Sequence, residues 1–369
     1  MRFPEFSGEW ECVPLSTYAK KITEKNKGNK IKNVLCNSAT QGIVPQSEYF
    51  DREIANNENT DGYYVVRNQD FVYNPRKSVS APYGPVNIYN GEDDGIISPL
   101  YLCMKIRGID KNYLLHYFKS PAWYPYIYQN GDSGVRHDRV SIKDEVFLAM
   151  PVSVPNGDEQ RKIAKFLDAI NERIATQTKI IEEQETLLKS LADKLFLQNN
   201  HSCQLSELVN IEKGKQLNAD TLSETGNYYV MNGGITPSGY YSEYNVPAGA
   251  ISISEGGNSC GYVQFNEKPF WSGGHCYSLQ CRTNLVDYKY IYYYLKTKEA
   301  DVMALRIGSG LPNIQKKDIE KFTISYPSLQ LQKQFVKALD ALSGKINTEK
   351  NLLEKYCQQK SYLLCQMFI

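Results

Sequence analysis

The sequence predicts an α+β fold in which two similar globular domains are separated by two long helices, which pair as an antiparallel coiled coil with pseudo-twofold symmetry. Residues 165–174 read KFLDAINERI and residues 337–346 read KALDALSGKI, so five of ten positions are identical at an offset of 172. The match extends without a gap over 155–196 and 327–368. Short β-branched and aromatic runs fill the segment before each copy, which is typical of strands.

Both copies of the repeat have the pattern of a coiled-coil helix. Apolar residues step by four and three along a heptad seam, with polar breaks at Gln177 and Gln184 in the first copy and Glu349 and Lys360 in the second. Because a lone amphipathic helix of this length cannot bury its seam, we expect the copies to pair; burial in two separate cores is the alternative. The predicted seam residues are Ile163, Leu167, Ile170, Ile174, Ile181, Leu188, Leu191, Leu195, Phe335, Leu339, Leu342, Ile346, Leu353, Tyr356, Leu363 and Met367.

Capping signals mark the start of each long helix. Asn156 with Glu159 fits a capping box, and Ser328 fits an N-cap in the second copy. Leu331 stands where the first copy has Glu159, which weakens the second capping box. The predicted segments are a globular domain at 1–154, a helical spacer at 155–200, a second globular domain at 201–326 and a C-terminal helical spacer at 327–369.

Strand and helix patterns also occur within the two globular domains. YYVV at 63–66, GAISIS at 249–254 and CYSLQC at 276–281 predict strands, and DYKYIYYYLKTK at 287–298 predicts a short helix. VLCNSATQGIVP before the first repeat resembles YVMNGGITP before the second once a small gap is allowed. We therefore expect both domains to share one α+β fold.

Composition bounds the class of protein. With 41% hydrophobic and 22% charged residues and a net charge of +1, the chain is typical of a globular protein, and its overall charge favours no partner. No apolar stretch approaches the roughly 20 residues of a membrane helix, and MRFPEFSGEWE lacks the apolar core of a signal peptide. We therefore expect no membrane partner. The nine cysteines form no CxxC pair, so we expect no metal site, and their odd number, with no signal peptide, favours reduced thiols and a cytoplasmic location.

Motifs of catalysis are absent from the sequence. There is no GxxxxGK[ST], GxSxG or HExxH, and Gly308 and Gly310 in RIGSGLPN are typical of a loop. The triplet of Asp287, Tyr288 and Lys289 could form half of a metal-dependent nuclease site, but it lacks an upstream acidic partner. We therefore predict no catalytic residue, and a DNA-cleaving enzyme stays an alternative that depends on Asp287 and Lys289.

Basic and aromatic residues form candidate DNA contacts. Lysines can neutralise phosphates, Arg can grip guanine, and Asn can grip adenine, whereas a solvated surface is the alternative for a run of lysines. Tyrosine, with 28 residues in the chain, clusters in GYYSEYN at 239–245, where it could add phosphate or base-methyl contacts; a place in the core is the alternative. The candidates are Lys20, Lys21, Lys25, Lys27, Lys30, Lys32, Arg136, Arg139 and Lys143 in the first domain, and Tyr240, Tyr241, Arg306, Ser309, Asn313, Lys316 and Lys317 in the second.

Several strings, taken in order, resemble one family. They are the opening FPEFSGEWE, the lead-ins PNGDEQRKI and PSLQLQKQF, the repeats KFLDAINERI and KALDALSGKI, and GSGLPNIQKKDIEKFTISYP before the second helix. In this order and duplicated, they resemble the specificity subunit of type I restriction–modification enzymes over nearly the whole chain. The departure at Leu331 hardly affects the likeness.

The resemblance implies a non-catalytic DNA-binding subunit. Each globular domain would be a target-recognition domain that reads one half of a bipartite double-stranded DNA site. The helices would act as a spacer and dock two methyltransferase subunits that carry S-adenosylmethionine, while motor-nuclease subunits use ATP and Mg, and this chain itself binds no cofactor. A non-enzymatic coiled-coil scaffold is the alternative.

Apolar residues outside the heptad seam predict where the partner subunits dock. A two-stranded coil would not bury them, so we expect a wider bundle. These residues are Phe166, Ile180, Leu187, Leu352 and Leu364.

Overall fold

The computed structural model describes residues 1–49, 60–132, 138–197, 200–308 and 310–368. The chain divides into two compact units, one of residues 1–177 with 352–369 and the other of residues 178–351. Each unit therefore holds one globular domain together with a part of each long helix. The domain boundaries drawn along the chain stay a prediction, because this division in space groups helix segments with the domain that they contact.

The first globular domain is built from two four-stranded sheets and a two-stranded ribbon. Its strands are β1 (Glu11–Pro14), β2 (Ala19–Lys21), β3 (Val34–Ser38), β4 (Gly42–Pro45), β5 (Tyr64–Val66), β6 (Phe71–Tyr73), β7 (Val86–Ile88), β8 (Gly95–Ile97), β9 (Leu102–Ile106) and β10 (Pro151–Val154). Its helices are α1 (Gln46–Tyr49), α2 (Lys111–Lys119), α3 (Tyr124–Asn130) and α4 (Asp144–Leu148), with a 3-10 turn at Leu15–Thr17. The sheet orders are β2-β9-β6-β7 and β4-β3-β8-β5, and β1 pairs with β10.

The second globular domain repeats this plan with a smaller second sheet. Its strands are β11 (His201–Gln204), β12 (Val209–Lys213), β13 (Tyr228–Met231), β14 (Tyr240–Tyr241), β15 (Ala250–Ser254), β16 (Val263–Asn266), β17 (Trp271–Ser272), β18 (Cys276–Cys281) and β19 (Thr323–Tyr326). Its helices are α6 (Leu205–Leu208), α7 (Tyr288–Thr297), α8 (Glu299–Ala304) and α9 (Lys316–Glu320), with a 3-10 turn at Ala219–Thr221. The orders are β12-β18-β15-β16 and β14-β13-β17, and β11 pairs with β19. The strands and the helix predicted from the sequence are confirmed.

Alternation along the central strands explains why the β2-β9-β6-β7 sheet and its counterpart in the second domain, β12-β18-β15-β16, are covered on both faces. Phe71 and Tyr73 of β6 enter the main core of the first domain, whereas Val72 between them enters a smaller cluster with Leu35 and Ile97. Successive side chains of a strand point to opposite faces, so one face packs on the helices and the other on the β4-β3-β8-β5 sheet. The second domain repeats this arrangement around β15.

The predicted long helices are α5 (Gly157–Phe196), with 40 residues, and α10 (Leu329–Met367), with 39 residues. In the first unit, Ile163 and Leu167 share a core with Leu363 and Met367, which shows that the start of α5 lies beside the end of α10. In the second unit, the core joins Ala192 and Phe196 of α5 to Phe335 and Leu339 of α10.

Polar and aromatic contacts extend this pairing further along the helices. The Arg173 guanidinium lies 4.7 Å from the centre of the Tyr356 ring in the first unit. Lys350 Nζ lies 2.6 Å from Glu185 Oε1 in the second. Within each unit, residue numbers rise along one helix as they fall along the other, so the antiparallel coiled coil is confirmed. Each predicted seam residue is buried or half-buried.

Two details of the helix prediction are corrected. Leu364 was expected to face a partner subunit, but it is 8% exposed and belongs to the core of the first domain. The end of α10 packs on both α5 and the domain, so its apolar stripe is wider than one heptad seam. The Glu159 N–H donates to Asn156 Oδ1 at 3.0 Å, as the predicted cap requires. The Glu159 carboxylate, however, forms a bidentate ion pair with Arg2 at 2.7 Å.

Among the described residues, no helix has the length and apolar character that crossing a membrane requires. Every cysteine is a free thiol. No group of His, Cys, Asp or Glu in the described part of the chain is arranged to hold a metal ion.

Candidate nucleic-acid interface

One buried glutamine attaches each globular domain to a long helix. Gln160 Oε1 accepts the backbone N–H of Asp110 at 2.9 Å, and its Nε2 donates to the Pro155 carbonyl at 2.8 Å. In the second unit, Gln332 accepts the N–H of Asp287 at 2.8 Å and donates to the Pro327 carbonyl at 2.8 Å, which repeats the arrangement. Both aspartates cap a domain helix, α2 or α7, by accepting backbone N–H groups of its first turn.

One aspartate on each long helix adds a second attachment, with different partners. Asp168 accepts from Asn112 Nδ2 at 3.2 Å and lies 2.7 Å from His116 Nε2. Burial lowers the pKa of His116, and Asp168 opposes that effect.

The equivalent aspartate in the second unit is Asp340. It binds Lys289 Nζ at 2.8 Å and accepts the Tyr293 hydroxyl at 2.7 Å. Asn112 and His116, like Lys289 and Tyr293, are four residues apart on one helix face, so the geometry is kept while the chemistry changes.

A terminal phenylalanine closes each attachment. Phe368, at the end of α10, packs its ring 5.4 Å from Tyr113 of α2. Phe196, at the end of α5, packs 5.3 Å from Tyr290 and from Tyr294 of α7. Each globular domain is therefore held by the start of one long helix and by the end of the other.

The predicted lysine segment of the first domain is exposed. Lys20 and Lys21 lie on β2, an edge strand, and the next lysines follow in a loop that Asn26 closes through two bonds with Ile31. Lys21 Nζ lies 2.6 Å from Asp144 Oδ2, so this segment lies beside the start of α4, where Lys143 is exposed. The structure thus brings Lys143 together with the lysine segment. The remaining lysines, Lys25, Lys27, Lys30 and Lys32, are all exposed.

Arg139 lies on a backbone bridge that sequence reasoning missed. It pairs with Arg76, and the neighbouring Val140 N–H donates to the Pro75 carbonyl at 2.9 Å. The Nε of Arg139 is buried and has no hydrogen-bond partner among the described residues. Arg76 therefore joins Arg139 as a candidate contact, whereas Arg136 lies outside the described residues.

The predicted contacts of the second domain lie on two surfaces. Tyr240 and Tyr241 are half-buried on β14, where Tyr241 packs 5.2 Å from Trp271. Asn313 is exposed and pairs by its backbone with Ile307 and Gly256. Ser309 lies outside the described residues, and the remaining candidates, Arg306, Lys316 and Lys317, are exposed.

The second domain also contains a cleft that the sequence analysis did not identify. Three Gly-Gly turns, at 233–234, 256–257 and 273–274, lie close together after β13, after β15 and before β18. The first two line a cleft of about 640 Å³ with Asn313, and His275, which follows the third, lines it too. A search for Gly-Gly pairs after predicted strands could have found the turns, although not their meeting.

The same backbone bridge occurs in both domains. Ile314 N–H donates to the Glu255 carbonyl at 2.9 Å, as Val140 does to Pro75, and Gly256 pairs with Asn313 as Arg76 pairs with Arg139. The two domains thus present different side chains at one equivalent place.

Comparison with known proteins identifies this architecture. The family model described as the type I restriction modification DNA specificity domain matches residues 9–186 and again 199–355. The chain belongs to this family. It is a DNA sequence-specificity subunit of the type I restriction–modification class, a non-catalytic subunit.

Three relatives of this specificity subunit match it, two of them over most of its length. A putative type I specificity subunit of Mycoplasma genitalium is 24% identical over 88% of this chain and 88% of its own. One from Mycoplasma pneumoniae is 34% identical over 41% of this chain and 40% of its own. The putative MjaX specificity subunit of Methanocaldococcus jannaschii is 24% identical over 74% of this chain and 72% of its own.

Solved structures share the fold. The crystal structure of a type I S subunit from M. genitalium has a TM-score of 0.65 and 19% identity, and the match covers 100% of this chain and 99% of that chain. A chain from a structure of complex assembly and conformational transition in a type I system has a TM-score of 0.60 and 15% identity, covering 98% of this chain and 97% of that chain.

Asp287 and Lys289 of the specificity subunit serve attachment to the long helix. The Asp287 carboxylate caps α7 by accepting the N–H groups of Lys289 at 2.9 Å and Tyr290 at 3.2 Å. The Lys289 side chain turns to Asp340 on α10. The acidic-x-Lys triplet is therefore explained by helix capping and docking, which removes the basis of the nuclease alternative.

The remaining apolar candidates for partner docking differ in exposure. Leu187 is 56% exposed, whereas Ile180 and Leu352 are half-buried. Phe166 is 37% exposed, and one edge of it packs on Phe3 of the N-terminal segment, with ring centres 5.7 Å apart.

Proposed function

We propose that each globular domain of this specificity subunit recognises one half of a bipartite double-stranded DNA site. The paired helices would set the distance between the halves and dock two methyltransferase subunits. One observation carries this proposal. Both domains are attached to the long helices by the same kind of contact, but they present different side chains on their surfaces. A repeated attachment favours two readers held in the same way, and different side chains favour two different half-sites.

The candidate side chains fall into two classes of DNA contact. The lysines of residues 20–32, with Lys143, Lys316 and Lys317, suit phosphates, because a flexible ammonium carries charge but reads no sequence. Arg139, Arg136 and Asn313 suit base edges, because guanidinium and amide groups can make paired hydrogen bonds to one base.

The proposed partners supply the chemistry. The methyltransferase subunits would carry S-adenosylmethionine, and motor-nuclease subunits would use ATP and Mg, while this chain supplies recognition. We place the complex in the cytoplasm, in keeping with a free thiol at every cysteine.

The docking of methyltransferase subunits is tested at the apolar residues outside the seam. Replacing Ile180 and Leu352 with Glu should abolish co-purification with the methyltransferase subunit, because burying an unpaired carboxylate at an interface is costly. The matched control replaces the exposed Thr176 and Asn351 with Glu, which adds equal charge on the same helices. Equal recovery of the complex from both variants would contradict the docking surface.

The spacing role is tested by lengthening both helices. Inserting one heptad after Gln177 and another after Asn351 keeps the seam in register. Seven residues at about 1.5 Å each add about 10 Å, or about three base pairs at 3.4 Å per pair. The insertion also turns the second half-site by roughly 100° around the duplex, so affinity can fall even if the spacing role is correct.

The measurement is therefore the map of methylated adenines on a randomised target library, with the wild-type complex beside it. A gap lengthened by about three base pairs supports the proposal. An unchanged gap with both half-sites still recognised would show that another part of the complex sets the spacing.

A further inference from the structure

The cleft between the Gly-Gly turns contains a carboxylate that is almost fully buried. Glu255 is 8% exposed, and its Oε1 accepts Lys213 Nζ at 2.6 Å and the Tyr277 hydroxyl at 3.1 Å. Its Oε2 is buried and has no hydrogen-bond partner among the described residues. A buried carboxylate oxygen without a partner is costly, and its presence calls for a physical reason.

An imidazole that also lines the cleft lies close to that oxygen. His275 Nδ1 lies 3.7 Å from Glu255 Oε2, and the His275 side chain is 62% exposed. A small rotation of this exposed ring brings Nδ1–H to hydrogen-bond distance of Oε2. That bond fixes the tautomer with the proton on Nδ1, so Nε2 on the other side of the ring becomes an acceptor.

The backbone around the pair is built to hold His275 while leaving the cleft open. The His275 N–H donates to Asn232 Oδ1 at 3.1 Å, and its carbonyl accepts the Glu255 N–H at 2.9 Å. A Cβ at Gly233 would lie 3.2 Å from the His275 carbonyl oxygen, and Gly233 has a φ of +85°, so both the close approach and the backbone conformation disfavour a side chain there. Because glycine has no side chain, the backbone of these turns can come close to a flat ligand in the cleft.

Charge in the cleft favours a base edge over a phosphate. The ammonium of Lys213 is paired with the Glu255 carboxylate, which leaves the cleft without the excess of positive charge that a phosphate site has. The equivalent place in the first domain carries Arg76 and Arg139, and the Nε of Arg139 is another buried polar atom without a partner in the described residues. Both domains thus keep unsatisfied polar groups at the same backbone bridge.

We propose that this cleft is a base-reading site of the second domain, in which His275 contacts a base with an exocyclic amino group and Glu255 positions the imidazole. In the major groove, adenine and cytosine present an N–H donor that a neutral Nε2 accepts, whereas guanine and thymine present acceptors at that edge. Asn313 at the rim can add an amide contact if the base is adenine. This inference rests on the proposed DNA-recognition function and names the residues that perform it.

The test uses the specificity subunit in complex with its methyltransferase subunits and a randomised library, with base frequencies read at methylated sites. His275→Ala should remove an adenine or cytosine preference of about ten- to one-hundred-fold at one position of one half-site and leave the other half-site unchanged. Glu255→Gln keeps the shape but can donate to Nδ1, so it should admit guanine or thymine at that same position. A merely structural role would lower recognition at all positions alike.

Two controls keep the outcome clear. His201→Ala removes an exposed imidazole of the same domain that stacks on Tyr326, and it should leave the base preference unchanged. If His275→Ala lowers the melting temperature, His275→Gln, which keeps a polar side chain, is measured in its place.

Full base preference in the His275 variant, or a Glu255→Gln effect spread over many positions, would overturn the inference. A wild-type complex without any bipartite target would instead contradict the proposed function itself.

Discussion

The two globular domains are held by the same contacts but present different surfaces. The Gln160 and Gln332 side chains make matching bonds, at 2.8–2.9 Å in the first unit and 2.8 Å in the second. At the shared backbone bridge, however, one domain has Arg76 and Arg139, while the other has a glycine and Asn313. The attachment is therefore constrained by geometry, whereas the surface can vary without altering the fold.

The reason for this difference lies in burial. The attaching glutamines are 7% and 0% exposed, so each polar group there must find a partner in the protein. At the bridge, Arg76 and Asn313 are exposed, so their side chains can change at little cost to stability. If this comparison is correct, equivalent changes at the two attachments should have equal effects, and equivalent changes at the two surfaces should not.

The largest effect is expected from removing the terminal phenylalanines. Phe368→Ala and Phe196→Ala should each destabilise their own unit by about 3–5 kcal/mol, because each deletes a ring packed on domain tyrosines. Chemical denaturation followed by tyrosine fluorescence measures the loss. Tyr362→Ala and Leu197→Ala, at side chains that are 61% and 83% exposed, are the matched controls.

A much smaller loss for Phe368→Ala than for Phe196→Ala would break the comparison. It would mean that the end of α10 contributes little to the first unit, although Leu363 and Met367 are buried beside it.

The next effect is expected at the glutamines. Gln160→Ala and Gln332→Ala should each cost about 1–3 kcal/mol, because each leaves a partly buried backbone N–H and a buried carbonyl without a partner. The loss should appear as faster amide hydrogen exchange in α2 for the first variant and in α7 for the second. Substituting the exposed neighbours Arg161 and Lys333 with Ala is the control on each helix. Faster exchange in only one of the two domain helices would contradict equal attachment.

The helix side of this attachment leaves a pattern in the sequence, although the attachment itself was not predicted. Gln160 and Asp168 recur as Gln332 and Asp340 at the offset of 172, and the heptad pattern identified the buried seam. Their partners could not be paired in this way, since Asp110 and Asp287 are 177 residues apart and loops of different length intervene. Leu364 was placed wrongly because a heptad describes one neighbouring helix, while the end of α10 has two neighbours.

The backbone bridge and the cleft could not be predicted from the sequence. Arg139 and Asn313 were identified as residue types that can read bases, but Arg76 and His275 come from other strands and meet them through the sheet topology. Glu255 gave no signal at all, because one glutamate after a strand is ordinary until its burial is known. The ion pair of Arg2 with Glu159 gave no signal either, because the two residues are 157 positions apart in the sequence.

The smallest effect is expected from pH, where the two attachments differ. Burial lowers the pKa of His116 below its ordinary 6.5, and Lys119 and Lys360 act in the same direction, while Asp168 opposes them. Folding therefore favours the neutral imidazole, so its contribution is complete above about pH 6.5 and is lost as the pH falls through the lower folded value. Tyr293, the counterpart in the second unit, has a pKa raised by burial, so it stays protonated throughout this range.

Acidification from pH 7.5 to pH 5.5 should thus speed amide exchange in α2 more than in α7, after correction for the intrinsic rates. His116→Tyr places the side chain of the second unit in the first, and it should remove the difference between the two helices. Because one proton on one side chain is involved, the change should be smaller than that of either glutamine variant. An equal response of both helices in the wild type would show that the acid sensitivity arises elsewhere, and that His116 and Tyr293 are interchangeable partners for their aspartates.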